Sequence, residues 1–293
     1  MKYSPFFILD RLIDFYFKIC GLKLNYIDLG EHKMEYWIGN KDKPVVVLLH
    51  AFGPNGKYSW ASQVKVLSKK YKVLIPNLIY FGKSTMTNKS YHVKDQVDAV
   101  KCLLKNLKIN SFSLGGTSYG GVIAFELLHT QKFKITNIFI TNSPLKYTMD
   151  DVWNTIIEDF GVNKKSEVLI PFNYKQLKKL FNLSYYKKKY YPNFLFKDIF
   201  RELYIYQAKE RRLLIDTFAE DQKYLNERNY KTDVPILLVW GEEDKLSPLK
   251  IALKFKKDMG DNVKLKVISK TAHTPHIERR SLFNKILLDF LSD

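Results

Sequence analysis

A chain of 293 residues with 46% apolar content excludes a disordered protein and allows one large domain, or a domain carrying an insertion. A formal charge of +18 would attract anions, but the lysines are spread along the whole sequence. The densest basic run, Lys187 to Lys189 between tyrosines, comes with no RNP, zinc-finger or helix-turn-helix pattern, so nucleic acid is not the expected partner. A solvated basic face is favoured, with weak attraction to anionic membrane second. The two cysteines, Cys20 and Cys102, have no CxxC spacing, which excludes a redox pair or cysteine metal site and fits a reducing, cytoplasmic setting.

The chain opens with a Phe-, Ile- and Leu-rich stretch, Ser4 to Cys20, interrupted by Asp10, Arg11, Asp14 and Lys18. Those charges exclude a signal-peptide core, and a spanning helix needs a longer uncharged run. On a helix Asp10, Asp14 and Lys18 stand four residues apart and share one face, leaving a broad apolar side. Such a helix, taken as residues 1–21, either docks on the protein's own body or lies in a membrane interface. Strand-like stretches follow at Leu22 to Leu29 and Lys33 to Ile38. After a Gly-Asn-Lys-Asp-Lys-Pro turn come the apolar runs Val45 to Leu49, Lys72 to Pro76, Ser111 to Leu114, Ile135 to Thr141 and Ile236 to Trp240. Val263 to Ile268 alternates and reads as the last strand. Helical patterns fall between them at Trp60 to Lys69, His92 to Leu107, Tyr119 to His129, Leu249 to Met259 and Ser281 to Leu291. This alternation predicts an α/β fold with a mostly parallel sheet covered by helices on both faces. The interval 145–230 carries helical patterns and no core strand. It is read as a helical insertion that forms a lid over the strands' C-terminal ends, on a core of 22–144 and 231–293.

The strongest chemical signal is Gly116-Thr117-Ser118-Tyr119-Gly120, between a strand and a helix. That context is the one a nucleophile elbow requires, with small residues permitting the sharp turn that exposes the Ser118 hydroxyl. A free serine is a poor nucleophile and needs a base. His273, in the loop between the last strand and the last helix, is the candidate, with His276 the runner-up; His32, His92 and His129 read as structural or exposed. The base needs an orienting carboxylate, and Asp244 lies just past an apolar strand, with Glu242 and Glu243 as neighbours that a shift of register would substitute. The order Ser118, Asp244, His273 is the order expected on an α/β-hydrolase sheet. Two backbone N–H groups should form an oxyanion hole, that of Tyr119 and that of Phe52 in the loop His50-Ala51-Phe52-Gly53. His50 then shapes the loop. This constellation predicts ester hydrolysis through an acyl-enzyme, with neither metal nor cofactor.

These residues resemble the α/β-hydrolase superfamily. The motifs are H-A-F-G at 50–53, P-N-L-I-Y-F-G-K-S at 76–84, G-T-S-Y-G-G at 116–121, V-W-G-E-E-D at 239–244 and A-H-T-P-H-I-E at 272–278. Within it the chain resembles the plant branch related to monoacylglycerol lipases, which also opens with an apolar helix ending in Gly-Leu, as Gly21-Leu22 does here. The resemblance implies Ser118 as nucleophile, Asp244 as acid, His273 as base, and Phe52 and Tyr119 as oxyanion donors. It implies a small-molecule ester or lipid as substrate, such as a monoacylglycerol, with peripheral membrane contact through the first helix. Acyl transfer, C–C bond hydrolysis and a hormone-receptor-like binding role on the same triad stay open as alternatives, and the oligomeric state is not indicated. Three positions depart from the family pattern: Ala51 for the usual Gly, Asn77 for Asp and Tyr80 for Gly. Asn77 is expected to alter a structural hydrogen bond rather than the triad. Epoxide hydrolases and haloalkane dehalogenases carry Asp at the elbow, where this chain has Ser118.

Overall fold

In the computed structural model, residues 4–39, 42–53, 55–147, 149–188, 190–228 and 230–292 are described. Residues 1–3 of the first segment, Asn40 and Lys41 of the predicted turn, and Lys189 of the basic run lie outside them. The strands are β1 (Leu22–Asp28), β2 (His32–Gly39), β3 (Val45–Leu49), β4 (Lys72–Pro76), β5 (Thr85–Met86), β6 (Ser111–Thr117), β7 (Lys134–Thr141), β8 (Ile236–Gly241) and β9 (Val263–Ile268). They form one sheet in the order β1-β2-β4-β3-β6-β7-β8-β9, with the short β5 beside β2. β1, β2 and β4 pair antiparallel at one edge, and every pairing from β4 through β3 to β9 is parallel. The continuous apolar runs Val45 to Leu49 and Ile236 to Gly241 occupy interior strands, where both faces are covered and no polar alternation is needed.

Helices α2 (Gly56–Leu67) and α12 (Arg280–Ser292) cover one face. Trp60, Val64, Phe283 and Leu287 pack there against Val46, Leu48 and Val239. On the other face α3 (Val93–Asn106), α4 (Tyr119–His129) and α10 (Leu249–Met259) bring Val100, Leu103, Ile123 and Phe255 onto Val47, Leu114 and Leu238. Fully burying such side chains stabilises by about 1.5–3 kcal/mol each.

Two elements extend beyond their sequence patterns. β6 runs three residues further than its apolar signal, through Gly115, Gly116 and Thr117 into the turn at Ser118. A methyl group at Gly115 would meet the Phe139 ring at 2.1 Å, and one at Gly116 would meet the Gly120 carbonyl at 2.3 Å. Small residues there serve close packing and carry no strand propensity. α2 begins four residues before Trp60 because the Asn77 amide oxygen accepts from the Gly56 N–H at 2.9 Å. The Asn77 amide nitrogen donates to Glu35 Oε2 at 2.5 Å, so this departure from the family pattern has a structural bond to make.

Helices α5 (Asp150–Phe160), α6 (Lys165–Leu169), α7 (Tyr174–Ser184), α8 (Asn193–Leu203) and α9 (Ala208–Glu227) all lie between β7 and β8, with no strand among the described residues. They build small cores of their own, one around Trp153, Phe160 and Val168, another around Leu177, Phe196 and Ile199. The first helix, α1 (Pro5–Ile19), is started by Pro5 and by the Ser4 hydroxyl, which accepts from the Phe7 N–H at 3.1 Å. It docks on the body at two points: Phe6 joins the Leu177–Phe196 cluster, and Phe17 packs edge-on against Trp37. Lys57 Nζ lies 2.7 Å from Asp10 and 2.6 Å from Asp14, and the Tyr58 hydroxyl donates to Asp10. The acidic face is therefore turned inward. Among the described residues no helix is long and apolar enough to cross a membrane.

Candidate active site

Ser118 sits between β6 and α4 with φ 51° and ψ −120°, a left-handed strain that a serine adopts only where the surrounding structure imposes it. Two backbone bonds fix the turn, Ser118 N–H to the Thr141 carbonyl at 3.0 Å and Gly121 N–H to the Ser118 carbonyl at 2.9 Å. Gly120 is needed because a Cβ there would stand 2.4 Å from the Leu49 carbonyl oxygen. The neighbouring strand can thus approach the helix start and leave the Ser118 side chain half-exposed above the sheet.

The structure brings the three sequence-predicted residues together. His273 Nε2 lies 3.0 Å from Ser118 Oγ, and His273 Nδ1 lies 2.8 Å from Asp244 Oδ2. A carboxylate can only accept, so Nδ1 carries the proton and the Nε2 lone pair faces the serine hydroxyl. Asp244 is buried, and its Oδ1 accepts from the backbone N–H groups of Leu246 at 2.8 Å and Ser247 at 3.0 Å. The alternatives fall away on geometry. Glu242 is exposed, and Glu243 accepts from the backbone of Lys270 and Thr271, holding the loop that presents His273. His276 is buried with its ring 5.4 Å from that of Trp60, and burial lowers its pKa to about 3.

Two participants escaped the sequence reading. Asn142, just after β7, donates to Asp244 Oδ2 at 2.6 Å and to the Ala272 carbonyl at 3.2 Å, while its oxygen accepts from the Gly241 N–H. It ties the strand ends that carry Asp244 and His273. Glu278 accepts from the Ala272 N–H at 2.9 Å and from the Tyr186 N–H at 2.8 Å, and the His273 N–H donates to the Ser184 carbonyl at 3.1 Å. His273 is thereby fastened to the end of α7. Nothing in the sequence marks Asn142, whose bonds join distant segments; Glu278 closes the A-H-T-P-H-I-E motif, but its bond to Tyr186, 92 residues away, is not legible there.

The candidate oxyanion loop lies beside the serine. Phe52 packs edge-on against Tyr119 at 4.9 Å and against Phe81 at 5.2 Å, which holds the loop after β3 over the start of α4. As the first residue of α4, Tyr119 has no intrahelical acceptor for its N–H. His50 is fully buried beneath the loop; its Nδ1–H donates to the Ala51 carbonyl at 2.7 Å and its Nε2 accepts from the Leu78 N–H at 2.9 Å. Burial lowers its pKa to about 4.

Ser118 and His273 open into a cavity of about 370 Å³, mostly apolar, between the sheet edge and the helices that follow β7; Phe6 and Leu9 of α1, Leu180, Phe181, Leu195 and Ile199 are among its walls. A second, smaller cavity also meets Ser118 and His273. Among the described residues no group of three or more His, Cys, Asp or Glu is placed to hold a metal ion.

The family model described as the alpha/beta hydrolase fold matches residues 44–280, most of the chain. The chain belongs to this family and is a hydrolase. It is 24% identical to epoxide hydrolase 4 of Mus musculus over 94% of this chain and 78% of that protein. It is 23% identical to a monoacylglycerol lipase of Rattus norvegicus over 93% of this chain and 83% of that protein. Among solved structures, a candidate lipase from Acinetobacter baumannii AYE superposes with a TM-score of 0.81 at 20% identity, covering 99% of this chain and 96% of its own. That likeness shows the shared fold.

Proposed function

We propose that the protein is a serine hydrolase that cleaves a carboxylic ester of a lipid-like substrate through an acyl-enzyme. The observation that carries this reading is the relay Ser118 Oγ, His273 Nε2 and Nδ1, Asp244 Oδ2 at hydrogen-bond distances on the floor of an apolar cavity. His273 takes the proton as Ser118 attacks the carbonyl, and Asp244 stabilises the imidazolium. The N–H groups of Phe52 and Tyr119 receive the oxyanion. His273 returns the proton to the departing alcohol and then draws one from the water that releases the acid. A relative that is an epoxide hydrolase does not alter this reading, since the position of the elbow is a serine flanked by its own base. A cavity of about 370 Å³ lined by Phe181, Leu195 and Ile199 suits an alkyl chain, and α5 to α9 act as the lid above it. The test is labelling with a fluorophosphonate followed by a chain-length series of p-nitrophenyl and glyceryl esters. Ser118 becomes labelled and medium or long chains are preferred; folded protein in which Ser118 stays unlabelled sinks the proposal.

The first helix supplies the way to such substrates. Its inward face is occupied by Asp10, Asp14 and Phe17. Ile8, Leu12, Phe15 and Ile19 then form one outward row, exposed by 54, 58, 62 and 68%. An outward apolar row on a basic protein suits the interface of an anionic membrane, and Phe6 and Leu9 of the same helix line the cavity. Leu12→Ser combined with Phe15→Ser should lower partitioning onto phosphatidylcholine–phosphatidylserine vesicles at least about tenfold, since each side chain buried in lipid contributes on the order of 1.5 kcal/mol or more. Turnover of a soluble short-chain ester is the control. Equal vesicle binding by the variant and the wild type excludes this face.

A further inference from the structure

Lys165 opens α6, and its ammonium is drawn into the protein beside the smaller of the two cavities that meet at Ser118. Its Nζ stands 4.4 Å from the ring centre of Trp153 and 5.8 Å from that of Phe218, and both rings line the same cavity. Among the described residues it makes no hydrogen bond and no ion pair. The carboxylate that acts on it most, Asp150, is exposed at the start of α5 and beyond ion-pair distance. An ammonium has three donors to satisfy, and two aromatic faces offset only part of its lost hydration. Burial accordingly lowers its pKa to about 8. The side chain is partly buried, and its ammonium faces the cavity with no carboxylate of the described residues in ion-pair reach. What makes such a cation useful is an anion delivered to it.

We propose that Lys165 forms an anion subsite in the smaller cavity, so that the ester cleaved at Ser118 carries a carboxylate or phosphate a short reach from the scissile carbonyl. The inference rests on the serine-hydrolase reading and names the substrate class for that site. The two cavities divide the work. The larger, at about 370 Å³, accepts an alkyl chain; the smaller, at about 40 Å³, has room for a compact polar group but not for a second chain. Phe52, Leu169 and Leu246 line both, so a single substrate can occupy the two with its ester at Ser118. Trp153, Ile215 and Phe218 line the cavity around the charge with apolar surface, which strengthens a pairing formed there.

The test compares matched esters that share a dodecyl or dodecanoyl chain. O-dodecanoyl glycolate against its amide places the charge on the alcohol side, and monododecyl succinate against its amide places it on the acyl side. Dodecanoylglycerol phosphate against dodecanoylglycerol tests phosphate. The wild type is expected to prefer the charged member of at least one pair by roughly ten- to hundredfold in kcat/KM, the range of a charge-assisted hydrogen bond. Which pair shows the preference identifies the source of the anion. Lys165→Met should bring that ratio to about one, and Lys165→Arg should keep it well above one. A ratio near one in the wild type for all three pairs overturns the subsite, as does a ratio that Lys165→Met does not move. Fluorophosphonate labelling of each protein separates the failures: a labelled Ser118 with no charge preference leaves the hydrolase standing and removes the subsite, whereas wild type that is folded and unlabelled removes both.

Discussion

Ser118→Ala should lower kcat on a p-nitrophenyl ester by about a millionfold, down to the residual rate that binding and the oxyanion donors sustain on their own. The substitution removes the hydroxyl that lies 3.0 Å from His273 Nε2 and leaves the turn itself intact, since its backbone bonds to Thr141 and Gly121 do not involve the side chain. Stability should therefore change little. Asp244→Asn gives the companion result. The amide nitrogen would face either His273 Nδ1–H or the two backbone donors of Leu246 and Ser247. With the amide oxygen kept on those donors, the nitrogen donates to Nδ1, the proton moves to Nε2, and the base then presents a donor to the serine. The expected loss is about ten-thousandfold in kcat. Because the groups act as a unit, the double variant should be no slower than Ser118→Ala alone. Losses that multiply instead would show that Asp244 acts apart from the serine. Wild-type rates in Ser118→Ala would place the nucleophile elsewhere.

Much of this site was legible because its signals are local. A turn with small residues on either side of a serine, an acidic loop after an apolar run and a histidine between the last strand and the last helix can each be read in isolation, and chain order relates them. The interior strands were legible for the same reason: β3 and β8 are buried on both faces and read as unbroken apolar runs. What stayed hidden is non-local or unpatterned. β5 is two residues long and α11 (Pro275–Glu278) is one turn, too short for any periodicity. The C-terminal half of β6 is Gly-Gly-Thr, chosen by the Phe139 ring and the Gly120 carbonyl rather than by strand propensity. Asn142 matters through Asp244, 102 residues away, and Lys165 through Trp153 and Phe218. The first helix was legible as amphipathic, with Asp10, Asp14 and Lys18 on one face. What stayed hidden is how it docks: Phe6 and Phe17 bury apolar surface, and Lys57, itself enclosed, also draws in Asp10 and Asp14.

Acid should destabilise this fold between about pH 6.5 and pH 4, before most surface carboxylates titrate. His50 and His276 are fully buried, and burial lowers their pKa values to about 4 and about 3. In the unfolded chain both titrate near 6.5. Between the two values the unfolded state binds the extra protons, so stability is intact above about pH 6.5 and falls as pH drops, by about 1.4 kcal/mol per pH unit for each histidine. The structural cause is plain at His50: its Nε2 accepts from the Leu78 N–H, and a proton there would set donor against donor at a fully buried ring. Two groups act in the opposite direction. Glu126, raised by burial, gains a proton more readily in the fold, but Arg228 and Tyr230 hold its charged form. His92, raised by Asp221, favours the fold at low pH, yet its side chain is 52% exposed and the pair is screened. His129, its pKa also lowered by burial, adds to the loss in the same direction. The two fully buried histidines dominate, and urea unfolding at pH 4.5 should show a stability lower than at pH 7 by roughly 5 kcal/mol. His50→Asn should be less stable at pH 7 but should lose less on acidification, with a slope shallower by about 1 kcal/mol per pH unit. An acid slope identical to that of the wild type would mean that His50 takes up its proton in the folded state and that the loop beneath Phe52 yields to it.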